Sequence, residues 1–86
     1  MPEISRFYGI IIKMYFLDHN PPHFHAEYQG IIAEFNISTL EIIVGNFPQR
    51  AKSLVIEWAS EHKEELLANW QRARIPEPLI TITPLD

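Results

Sequence analysis

His23-Phe24-His25-Ala26-Glu27-Tyr28-Gln29-Gly30-Ile31-Ile32-Ala33-Glu34-Phe35-Asn36-Ile37 is the stretch that decides the fold. Two runs of alternating character flank a Gln-Gly pair, and a two-residue connection containing glycine is a strong hairpin signal. That connection fixes a register in which Tyr28 faces Ile31, Ala26 faces Ala33 and Phe24 faces Phe35 on one side of the sheet. On the other side His25 faces Glu34 and His23 faces Asn36. Apolar meets apolar and polar meets polar, as a period of two demands when one face is buried.

Upstream, Ile10, Ile12, Met14 and Phe16 alternate with Ile11, Lys13 and Tyr15, which predicts a strand over residues 10–17 after a bend at Gly9. Asp18-His19-Asn20-Pro21-Pro22 is a loop, because its prolines remove ladder donors and push Asn20 to an extended conformation. Downstream of the hairpin, with its strands over 23–29 and 31–37, Ser38-Thr39 turns the chain into a fourth strand over 40–45. Leu40, Ile42 and Val44 there continue the apolar face. Asn46-Phe47-Pro48 then opens one long helix over 48–73. Ala51, Leu54, Val55, Trp58, Ala59, Leu66, Trp70 and Ala73 form a single apolar stripe, with His62 keeping phase across its one wide step. The expected architecture is α+β, an antiparallel four-strand meander covered by that helix. An extended tail over 75–86 alternates from Leu79 to Thr83 between prolines, which confines it to a sheet edge, its own or a partner's.

At 86 residues the chain has room for one hydrophobic core, so residues 1–86 read as a single domain. No cysteine is present, and no disulfide is possible. Neither a signal segment nor an apolar run near the ~20 residues of a membrane span appears, so a cytoplasmic protein without a membrane partner is expected. The net charge of −4 argues against a protein built to grip a phosphate backbone, and no DNA-binding stripe is evident. Arg50 and Lys52 sit near the start of the helix, whereas Arg72 and Arg74 sit at its end and offset its dipole. Without a glycine-rich phosphate loop, a serine elbow or a cysteine, nucleotide-dependent and covalent catalysis have no support.

The chemistry concentrates on one strand. His23, His25 and Glu27 project from one face, with Phe24, Ala26 and Tyr28 beneath. Glu34 and Asn36 join that face through the hairpin register, and Lys13 and Tyr15 join it if the first strand pairs with the second. Side chains two apart on a strand start about 6.6 Å apart. That is close enough for both imidazoles to bend onto one divalent ion such as zinc, with Glu27 as a third ligand and Asp18 and His19 able to add more. Three of the four histidines fall within seven residues. The plain alternative is a solvated face on which His25 and Glu34 form a cross-strand pair. His62 reads as a boundary histidine of the helix stripe, and Glu57, Glu61, Glu64 and Glu65 as a solvated helix surface.

Ile4-Ser5-Arg6-Phe7-Tyr8-Gly9-Ile10-Ile11-Ile12, Pro21-Pro22-His23-Phe24-His25-Ala26-Glu27-Tyr28, Glu57-Trp58-Ala59 and Glu65-Leu66-Leu67-Ala68-Asn69-Trp70 together carry a resemblance. Over nearly its whole length the chain resembles the bacterial domain-of-unknown-function family 4160. The resemblance implies a small protein encoded beside another, of family 2442, in a toxin–antitoxin-like gene pair, and its signature includes His23 and His25.

Two classes of function follow. In an RNA-cleaving enzyme His25 is the general base, His23 or His19 the acid and Lys13 or Arg6 the phosphate contact, with Tyr15 and Asn36 on the substrate face. In a binding module the histidine face or the tail docks a neighbour-encoded protein. A metal site at His23, His25 and Glu27 is compatible with either, and homo-oligomerisation is left open.

Overall fold

Residues 3–86 are described by the computed structural model. Met1 and Pro2, which belong to the expected domain span, lie outside the described residues. The fold is α+β. An antiparallel sheet runs in the order of the chain through β1 (Glu3–Phe7), β2 (Ile10–Lys13), β3 (His23–Tyr28), β4 (Ile31–Asn36) and β5 (Ile42–Val44), followed by helices α1 (Gln49–Glu61) and α2 (Lys63–Arg74).

The β3–β4 hairpin has the register its side-chain pattern requires, with Phe24 opposite Phe35 and His25 opposite Glu34. Its turn places both Gln29 and Gly30 at positive φ, 50° and 81°. This is the left-handed pairing that matches the twist of the flanking strands. Tyr8 and Gly9 repeat it at φ 51° and 78°, and this second turn corrects the expected four-strand count. The segment before Gly9 folds back as β1, pairing Arg6 with Ile11 and Phe7 with Ile10.

The strand expected over 10–17 ends instead at Lys13. Beyond it Leu17 adopts φ 56° and donates its N–H to the carbonyl of Ala73 at 3.0 Å, so the chain leaves the sheet to lie against the end of α2. The fourth expected strand shrinks to the three residues of β5, because Leu40 at φ 62° still belongs to the turn.

The single helix expected over 48–73 is two. His62 breaks it with φ −127° and ψ 24°; its N–H closes a tight turn on Ala59 and its carbonyl accepts the N–H of Leu66. The break falls at the wide step of the apolar stripe, where no large apolar side chain spans the gap. The stripe itself is buried: Val55, Trp58, Ala59 and Leu66 are inaccessible. Trp58 packs against Phe7 and edge-on against Phe24, which stacks on Phe35. The segment after α2 returns to its own sheet, where Ile82 donates its N–H to the carbonyl of Ile4 at 2.8 Å.

Trp58→Ala should therefore cost roughly 3–5 kcal/mol, as removal of a large core aromatic does, measured by urea denaturation. A second substitution tests the backbone. Gly45 has φ 85°, and a Cβ there would stand 2.7 Å from the carbonyl oxygen of Ile32. Gly45→Ala is expected to lower stability by about 1–3 kcal/mol in the same assay.

Candidate metal centre

The 18–22 loop and the first turn of β3 build this site. Ile37 donates to the carbonyl of Pro22, closing the hairpin's open end. The preceding residues fold over that end of the sheet, held by the Leu17–Ala73 bond and by Arg74 Nη1, which donates to the Asp18 carbonyl at 2.6 Å. The Trp70 ring lies 5.2 Å from that of His23. As a result His23 is 1% exposed, although it shares a face with His25. The face expected to meet solvent is roofed at this end.

His23 Nδ1 is 2.7 Å from the carbonyl oxygen of Pro21. A carbonyl only accepts, so Nδ1 carries the hydrogen, and in the neutral ring Nε2 presents a lone pair. That lone pair points at two further acceptors, Asp18 Oδ2 at 3.0 Å and Glu34 Oε1 at 3.4 Å. Three acceptors converging in a buried place require a cation between them or a proton on the ring. The other Glu34 oxygen is 3.5 Å from His25 Nε2, and His25 Nδ1 is buried with no hydrogen-bond partner among the described residues. An ion taking the Nδ1 lone pair would satisfy that nitrogen and leave Nε2–H for Glu34, the carboxylate-to-histidine support common behind metal ligands.

The distances suit such an ion. Ligands about 2.0 Å from a tetrahedral zinc lie about 3.3 Å from each other, close to the separations around His23 Nε2. Asp18, His23 and His25 offer ligand atoms within 4.8 Å of one another, and so do His19, His23 and Glu34. Mixed imidazole and carboxylate donors suit zinc and neighbouring transition metals rather than calcium or magnesium. Burial pushes the His25 imidazole below its ordinary pKa, against the pull of Glu34, so the ring favours its neutral, ligating form. Burial opposes the charge on Asp18. The His19 N–H and the neighbouring His23 and His19 rings nevertheless hold its carboxyl below the usual value.

The other expected site residues are placed differently. Glu27 leaves the cluster and pairs with Lys13 at 3.0 Å; Asp18 and Glu34 supply the carboxylates in its stead. That bond raises the Lys13 ammonium and commits it. Arg6 is likewise engaged, with Glu3 at 2.8 Å. Asn36 Oδ1 accepts the N–H groups of Ser38 and Thr39, a turn-capping role. Tyr15 sets its ring edge-on to His25 at 4.6 Å. His62 pairs with Glu65 and packs on Trp58, as a boundary histidine.

The sequence pattern of the family described as domain of unknown function (DUF4160) matches residues 9–71. The chain belongs to that family. The DUF4160 match contains all five clustered residues, while β1 and the segment after α2 lie outside it. No curated protein and no solved structure matches the chain.

The contrast in burial gives a test. His23→Ala removes a buried ring and leaves two carboxylates facing each other, and should cost roughly 2–4 kcal/mol by thermal or urea unfolding. His19→Ala, whose side chain is 76% exposed, should stay within about 0.5 kcal/mol of wild type in the same measurement.

Proposed function

We propose that this protein is a metal-binding interaction domain, acting as the small component of a toxin–antitoxin-like two-gene module. The observation that carries the metal reading is the Nε2 of His23, whose Nδ1–H is committed to Pro21 while Nε2 faces Asp18 and Glu34. Asp18, His23 and His25 supply three donors within 4.8 Å of one another, with Glu34 beside His23 and His25, a set that can hold one ion. Its physical effect is to clamp the 18–22 loop to β3 and β4. The surface made by that loop is then presented to a partner protein in one conformation, at lower ordering cost on binding.

Isothermal titration with zinc should show one ion per chain. Thermal unfolding should shift upward, by about 2.7 kcal/mol in stability when free zinc is 100 times its Kd. Asp18→Asn and the His23→Ala, His25→Ala double variant should lose the binding, whereas Lys13→Ala and Glu27→Gln should keep it. Absence of zinc, cobalt and manganese binding in the wild type would overturn the reading.

One feature favours RNA cleavage as a second reading: burial lowers the His25 pKa and so favours the neutral ring, while its side chain stays 16% exposed, as a general base must be reachable. Against it, Lys13 and Arg6 are both paired with glutamates, so the phosphate would meet Asp18 and Glu34 instead of a cation. Cleavage of bulk RNA in the presence of chelator, lost in His25→Ala, would replace the metal reading with this one.

A further inference from the structure

Ser5, Asn69 and the indole of Trp58 are buried polar groups that lie outside the metal cluster and serve a different end. All three bind main-chain atoms of the segment after α2. Ser5 Oγ donates to the Ile82 carbonyl at 3.0 Å and Trp58 Nε1 to the Thr83 carbonyl at 2.8 Å. Asn69 brackets Ile80, donating to its carbonyl at 2.8 Å and accepting its N–H at 2.9 Å. The Ile82 N–H adds the bond to Ile4 on the edge of β1. Between the β1 edge and the two helices there is thus a groove that recognises extended backbone, with a pocket for one side chain, Ile82, which is 4% exposed. Leu79 and Leu85 pack on the core from the same segment.

We propose that this groove exchanges its occupant with a second copy of the chain, so that two protomers trade the segment 78–86. An empty groove would give up the burial of Ile82, Leu79 and Leu85 along with the main-chain bonds of Ser5, Trp58 and Asn69, which costs free energy. Some extended segment must therefore fill it. A second copy carries the same Ile80, Ile82 and Thr83 and makes the same bonds, so the contacts do not distinguish closed monomer from exchanged dimer. The hinge decides.

Residues 75–78 form that hinge, and all four are exposed. Pro76 and Pro78 stiffen it and favour extended backbone at the residues before them, Ile75 and Glu77. The ties that fold it back are the N–H groups of Ile75 and Glu77, both on the single carbonyl of Arg72. A short hinge of this kind invites exchange. In a twofold dimer the two hinges run side by side, and the Ile75 side chain, 66% exposed in the closed chain, gains apolar cover from its counterpart. β1 and the segment both lie outside the family match, so the exchange stands independently of the metal centre.

The test uses the full chain, which contains no cysteine. Arg6 and Thr83 line one cleft beside the groove and are exposed. Arg6→Cys and Thr83→Cys are made in separate chains, mixed in urea and refolded together. The chain concentration is about 1 mM, the order of the effective concentration that a short tether imposes. Exchange predicts a dimer in sedimentation velocity that persists after dilution, with a disulfide joining position 6 of one chain to position 83 of the other by peptide mass spectrometry. Monomer alone at every refolding concentration would overturn the proposal. So would a dimer whose disulfides join only 6 to 6 or 83 to 83, since its interface would then lie elsewhere.

Discussion

The two left-handed residues at the tip of the central hairpin, Gln29 and Gly30, constrain more of this molecule than any other pair. They set which β4 residue stands opposite each β3 residue. That choice puts Phe24 and Phe35 together under Trp58 while His25 meets Glu34 on the opposite face. A slip of one residue would reverse the faces, burying imidazoles against the helices and turning the aromatic pair outward. The core and the donor cluster are therefore two faces of one register.

The hairpin was legible in the sequence because its information is local: two alternating runs, a loop of two residues, and complementary pairs across it. β1 carried the same kind of turn in Tyr8-Gly9, but its burial does not alternate. Ile4 and Ser5 are both buried, Ser5 because it serves the groove, and that hides the strand from a reading by period. The helix break was equally hidden, since His62 keeps the phase of the stripe while its backbone leaves the helix. At the candidate site His23, His25 and their common face followed from strand geometry. Glu34 followed from the same register, and Asp18 and His19 stood out as further ligands just upstream, but the seating of Asp18 against His23 while Glu27 turns to Lys13 did not follow. It depends on the 18–22 loop folding over the sheet, and that fold is fixed by bonds from Leu17 and Arg74 to residues more than fifty positions distant.

The buried polar residues follow one rule. His23, Ser5 and Asn69 each hold main-chain atoms of a segment that has no ladder of its own, the first in the 18–22 loop and the others in the segment after α2. Irregular backbone packed against a core needs such partners, because its polar groups would otherwise be desolvated without return. Of the three, His23 alone has a titratable ring with one nitrogen to spare, and so it alone adds coordination chemistry to its structural duty.

The two tryptophans divide the molecule optically. Trp70 rests beside His23 and under the Arg74 guanidinium, whereas Trp58 is bonded to Thr83. Indole emission responds to an adjoining imidazolium and to the loss of an N–H acceptor. Each ring is thus an intrinsic fluorophore for a separate event, one for what occupies the histidine cluster and one for whether the groove is filled. With either indole replaced by phenylalanine, a single cuvette can follow the two processes one at a time, without any label.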